Sequence, residues 1–132
     1  MEAYRKLLRS KIHRATVTQA DLEYEGSITL SPELLKAADM KEYEAVCLWN
    51  VTSGTRVETY TICGEPGSTD VCVNGAAAHL IKPGDVIIIA CFTWLDDEAV
   101  AKFKPTVVFV DESNQIKEKR AEVAGPRLAR SA

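Results

Sequence analysis

Gly26-Ser27 is the pair in this sequence whose chemistry stands out. Lys11, His13 and Arg14 lie upstream of it, and Tyr24-Glu25 immediately precede it. Glycine has no side chain to shield its carbonyl carbon and reaches backbone angles closed to other residues. A serine hydroxyl set against that carbonyl can attack its own chain. Ser27 would then be the precursor of a prosthetic group instead of an ordinary nucleophile. Taken alone, a Gly-Ser pair simply marks a turn.

Other residues supply what such chemistry needs. Lys11 and His13 are two apart, so on a strand they share a face. A lysine and an arginine such as Arg56, converging on one cleft, would hold a small acid with two carboxylates. The guanidinium grips in a bidentate way and the ammonium acts as a point charge. Singly, each is an ordinary surface charge. On a strand Arg56, Glu58 and Tyr60 share one face and Thr59 points to the other. A tyrosine in a charged pocket can donate a proton; otherwise Tyr60 is a half-buried packing residue. In Asn74-Gly75-Ala76-Ala77-Ala78-His79 the small side chains leave backbone N–H groups open to a ligand. With the Asn74 amide they could stabilise an oxyanion. Read locally, the same run is a tight turn entering a helical turn, and His79 is structural.

Several chemistries have no support. Cys47, Cys63, Cys72 and Cys91 form no Cys-x-x-Cys pair and match no zinc spacing, so they read as buried reduced thiols and no metal is expected. There is no Gly-x-Ser-x-Gly elbow, no phosphate-binding glycine loop and no His-Glu-x-x-His. Chemistry must come from side chains or from a group the chain makes itself.

The elements that must position these residues are short strands separated by turns. Strands are predicted over Ser10–Thr18, Gly26–Leu30, Glu44–Val51, Arg56–Cys63, Asp70–Val73, Val86–Phe92 and Thr106–Val110. Val86–Phe92 is the longest apolar run and is expected to be central. Ser31-Pro32-Glu33 opens a helix to Ala38, with Ser31 as N-cap. A helical turn is expected at Ala76–Leu80 and a short helix at Asp96–Ala101. From about Glu112 the charged, then Pro- and Gly-containing chain reads as a frayed tail to Ala132. The pattern predicts a mainly β fold, a small barrel with short helices.

At 132 residues the chain fits one domain, and 46% hydrophobic with 27% charged residues suits a globular core. A net charge of −3 offers nothing to attract nucleic acid or an acidic membrane. No stretch approaches the ~20 apolar residues of a membrane span. With no secretory signal at the N-terminus, the expected location is cytoplasmic.

The motifs together closely resemble the pyruvoyl-dependent aspartate 1-decarboxylases. The resemblance rests on Lys11-Ile12-His13-Arg14, Val17-Thr18, Ala20-Asp21-Leu22, Tyr24-Glu25-Gly26-Ser27, Trp49-Asn50-Val51-Thr52, Gly54-x-Arg56, Thr59-Tyr60, Val73 to His79, and Gly84-Asp85-x-Ile87-Ile88-Ile89. These run in family order over residues 5 to 110 and depart from the family only at the chain ends. The resemblance implies a double-psi β-barrel and a homotetramer with active sites between subunits. It implies a proenzyme that cuts itself at Gly26-Ser27 into residues 1–26 and 27–132, Ser27 becoming a covalent pyruvoyl group. By the same resemblance that ketone would form a Schiff base with L-aspartate, and loss of CO₂ would give β-alanine for pantothenate synthesis. Thr59 and Asn74 would assist processing. Lys11 and Arg56 would bind the substrate carboxylates, with Thr59, Gly75, Ala76 and Ala77 completing the substrate site. Tyr60 would be the proton donor, and His13, Tyr24, Trp49 and Ile88 would line the site. Some relatives require an acetyltransferase-like maturation factor.

Two other readings compete. A barrel that keeps the cleft but is never processed would be a non-catalytic binding module. A Ser27 freed by cleavage yet not deaminated would be an N-terminal nucleophile of a hydrolase.

Overall fold

A computed structural model describes residues 3–122. The elements are β1 (Tyr4–Thr16), β2 (Gln19–Asp21), β3 (Ser27–Leu30), α1 (Pro32–Ala37), β4 (Ala45–Asn50), β5 (Arg56–Cys63) and β6 (Cys72–Asn74), then a 3₁₀ turn (Gly75–His79), β7 (Val86–Asp96), α2 (Asp97–Lys102), β8 (Thr106–Val110) and β9 (Ile116–Ala121). The nine strands are ordered β2-β6-β3-β5-β4-β7-β1-β8-β9. This is the mainly β small barrel that the turn spacing predicts.

Two long strands organise it. β1 runs antiparallel to β7 and parallel to β8, and β7 lies between β1 and β4 as its apolar run requires. Past Thr16 the chain continues through Val17, whose N–H donates to the Asp85 carbonyl, and Thr18, whose N–H donates to the Val71 carbonyl. The segment after β1 thus reaches the β2–β6 end of the strand order. Within the barrel, Ile12, Val17, Ile28, Leu30, Leu48, Val73, Ile87, Ile89 and Val108 are fully or almost fully buried. Burying each such side chain stabilises the fold by roughly 1.5–3 kcal/mol.

Local signals explain most boundaries. The Ser31 hydroxyl accepts from the Leu34 N–H, with Pro32 in the first turn of α1. The Asp96 side chain caps α2 by accepting from the Ala99 N–H. In β1 the inward face shifts between Ile12 and Ala15, where the register with β7 breaks and Arg14 has φ 66°. This bulge adds a residue and re-aims His13 and Arg14.

Three expectations are corrected. β1 begins at Tyr4, not Ser10, because Tyr4–Leu8 pair with Phe92–Asp96 despite their polar character. The frayed tail expected from Glu112 contains β9, antiparallel to β8; the rest of that tail, residues 123–132, lies outside the described residues. Buried thiols are found only at Cys91, since Cys47 and Cys72 are half-buried and Cys63 is exposed at the end of β5.

Candidate active site

The Gly26-Ser27 bond sits where β3 begins. Ser27 pairs directly with Asn74 across the antiparallel β3–β6 ladder and is only 4% exposed. The Asn74 side-chain Nδ2 donates to Ser27 Oγ at 3.1 Å and to Thr29 Oγ1 at 3.3 Å. Ser27 Oγ reaches the Glu25 carbonyl at 3.5 Å. The serine is therefore held from both sides by polar groups while shielded from water.

Gly75 closes the other side of the bond. Its φ of +73° lies in the left-handed region, and a Cβ there would stand 2.5 Å from Gly26 Cα and 2.6 Å from Gly26 N. Only glycine permits that approach at that angle. The Asn74-Gly75 turn legible in the sequence thus has two functions: one residue holds the hydroxyl, and the next packs on the glycine. Ala76 is exposed and Ala77 half-buried in the 3₁₀ turn that follows. Tyr24 is 68% exposed, with its carbonyl beside Gly75.

β5 brings two more residues. β3 and β5 are parallel, with Ile28 opposite Thr61; Thr59 and Tyr60 are the two residues that precede Thr61 on β5. Thr59 is half-buried and Tyr60 is 37% exposed, so the face alternation expected from the sequence is present.

Arg56, Trp49 and Ile88 form a second group. Trp49 on β4 is paired with Arg56 on β5 and Ile88 on β7, and the three line a shallow cavity of about 210 Å³. The Arg56 guanidinium carbon lies 5.1 Å from the Trp49 ring centroid, which orients the planar group over an aromatic face.

Lys11 and His13 form a third group, on the part of β1 next to β8. The Lys11 ammonium is 2.8 Å from a Glu122 carboxylate oxygen. His13 meets the edge of Phe109, with ring centroids 5.3 Å apart, and its Nδ1 is buried without a partner. Burial, together with the Lys11 and Arg14 charges, holds the His13 pKa below the ordinary histidine value. In the strand order β5, β4 and β7 intervene between β3 and β1. Within one copy the contacts of Ser27 are with Asn74 and Glu25, while those of Lys11 and His13 are with Glu122 and Phe109.

Two residues at these groups were not singled out by sequence. Thr29 was legible, because it lies two positions after Ser27 on the same strand and so on the same face. Glu122 carries no local signal; its meeting with Lys11 depends on β9 pairing with β8.

The fold is a small β-barrel in which a buried serine follows a glycine and faces an asparagine. A family model described as aspartate decarboxylase matches residues 3–117. An aspartate 1-decarboxylase of Legionella pneumophila is 68% identical over 123 residues, covering 93% of this chain and 92% of the relative. Proteins of the same name from Rhodopirellula baltica and Myxococcus xanthus are each 56% identical, over 95% and 93% of this chain and 80% and 95% of their own lengths. The chain belongs to the aspartate decarboxylase family.

Proposed function

We propose that this chain is a cytoplasmic proenzyme that cuts itself at Gly26-Ser27 and then decarboxylates L-aspartate to β-alanine and CO₂, a reaction that serves pantothenate synthesis. Family membership supports the reaction. The observation that carries the self-processing is the buried Ser27 hydroxyl, held by Asn74 at 3.1 Å beside a glycine against which Gly75 packs.

The chain's own atoms supply each processing step up to the final hydrolysis, which takes one water. Ser27 Oγ attacks the Gly26 carbonyl carbon and the amide C–N bond breaks, leaving an ester and a free amine at residue 27. The Asn74 N–H fixes the Ser27 hydroxyl beside the bond it attacks, and the same amide lies next to where negative charge develops. Loss of the residue-27 α-proton then expels the Gly26 carboxylate. Water replaces the nitrogen at the new terminus, releasing ammonia and leaving a ketone. The site fits such a group: it needs no separate cofactor pocket, and Gly75 leaves room for the rearranging bond.

Once formed, a pyruvoyl group supplies an electron sink for the charge left as CO₂ departs. Arg56, oriented over Trp49, and Lys11 offer the two cations that a dicarboxylate requires. Tyr60 offers a hydroxyl to return a proton to carbon. Thr59, Gly75, Ala76 and Ala77 form the wall of the substrate site, and His13, Tyr24, Trp49 and Ile88 its lining. Because Lys11 is engaged by Glu122 and Ser27 by Asn74 within one copy, we assign the complete site to neighbouring copies in a homotetramer.

Mass spectrometry under denaturing conditions tests the reading. Two species, residues 1–26 and 27–132, are expected from purified protein, with β-alanine formed from L-aspartate. Ser27→Ala should give one intact chain and no β-alanine. A wild-type chain that stays intact on prolonged warm incubation, with no partner added, would overturn autonomous processing and point to a maturation factor of the acetyltransferase-like kind.

A further inference from the structure

Asn74 is not held in place by its own strand alone. Its Nδ2 carries two N–H groups; one is directed at Ser27 Oγ and the other at Thr29 Oγ1, 3.3 Å away. Asn74 is 7% exposed, so water is a poor substitute for either acceptor. Thr29 is itself restrained. Its ladder partners are Cys72 on β6 and Ile62 on β5, and its methyl lies 3.0 Å from where a Cβ on Gly64 would stand. A β-branched side chain has few χ1 choices, and the one adopted sets the methyl on the Gly64 side and the hydroxyl toward Asn74.

We infer that Thr29 is a positioning residue for self-processing: its hydroxyl anchors the Asn74 carboxamide so that its nitrogen stays on Ser27. Without that hydroxyl the second N–H is left buried and unpaired, which is costly. One of the two contacts that fix the side chain is then gone, and the carboxamide is freer to turn its nitrogen away from Ser27. A carboxamide that has turned away no longer holds the Ser27 hydroxyl in place. The inference rests on the processing role proposed for Ser27 and Asn74.

The test is the half-time for appearance of the 27–132 fragment from purified unprocessed chain, read by mass spectrometry. Thr29→Val keeps shape and β-branching and should slow cleavage about tenfold, equivalent to about 1.4 kcal/mol of barrier. Thr29→Ala should do the same, which guards against a packing fault peculiar to valine. Thr29→Ser should restore a rate near that of wild type. Asn74→Ala should be slow, and adding Thr29→Val to it should slow cleavage no further, because Thr29 acts only through Asn74. Wild-type rates in both Thr29→Val and Thr29→Ala would overturn the inference alone, as would an undiminished Thr29→Val effect in the Asn74→Ala background. Equal rates for wild type and Asn74→Ala would overturn the reading of Asn74 beneath it.

Discussion

Gly75 and Gly26 are in backbone contact: a Cβ on Gly75 would stand 2.5 Å from Gly26 Cα, at a φ of +73°. The neighbours are backbone atoms, so they cannot rotate aside as a side chain would. The left-handed angle alone costs a non-glycine residue about 1–2 kcal/mol. Gly75→Ala should therefore lower the melting temperature and leave the Gly26-Ser27 bond uncut. Gly54→Ala is the control. Its φ is +82° with nothing within 4 Å of the added Cβ, so it should lose stability and still process. Thermal denaturation and intact mass report the two effects separately.

Lys11 and Glu122 form an ion pair of 2.8 Å, with side chains 20% and 35% exposed. A substrate carboxylate that uses Lys11 must displace Glu122. Pairs of this exposure are worth about 0.2–1 kcal/mol. Glu122→Gln should therefore lower KM for aspartate by roughly twofold to fivefold at low salt, with the difference shrinking as ionic strength rises. Steady-state kinetics at two salt concentrations check this.

His13 has a depressed pKa, caused first by burial and then by the Lys11 and Arg14 charges; Arg120 acts in the same direction and Glu122 against it. The folded state thus binds a proton less readily than the unfolded state, whose histidine titrates near 6.5. Above that pH both states are neutral at this site. As the pH falls through 6.5 the unfolded chain gains a proton first, so stability declines until the folded pKa is reached. His13→Gln should flatten the loss of stability between pH 7.5 and pH 5.5, read from urea midpoints at the two values.

Asn114 should matter to stability beyond its size. Its Oδ1 accepts from the Thr16 N–H at 2.8 Å, and its Nδ2 donates to the carbonyls of Thr16 at 2.8 Å and Thr69 at 2.9 Å. It also occupies φ 62°, which asparagine tolerates better than most residues. Asn114→Ala should cost about 2–4 kcal/mol, as expected when a buried hydrogen-bond network is broken. Asn114→Gly relieves the backbone angle and should recover only part of that. Urea unfolding of both in a Ser27→Ala background, where the chain stays whole, separates the two contributions.

The parts of the fold that were legible carry dense local signals. Ser31-Pro32 started α1 where expected, and the apolar run from Val86 became the strand between β4 and β1. β9 was not legible. Ile116–Ala121 reads as one apolar residue followed by charges, and five of its six positions are exposed. A charged edge strand has no buried face and so leaves no alternation to detect. β2 was missed because three residues are too few to show a period. At the site, Asn74-Gly75 was legible as a turn, whereas its contact with Gly26 was not.

By itself the sequence singled out the Gly26-Ser27 bond, the residue types able to serve it, and the turns and strands that present them. These depend on covalent chemistry and short-range backbone preference. Only the tertiary structure decided that Ser27 faces Asn74, that Thr29 holds the same amide, and that Lys11 meets Glu122 while His13 meets Phe109. The physical reason is register. Which residues meet across a sheet is set by burying one face of strands far apart in the chain, and a slip of one residue would turn every such side chain to the other face.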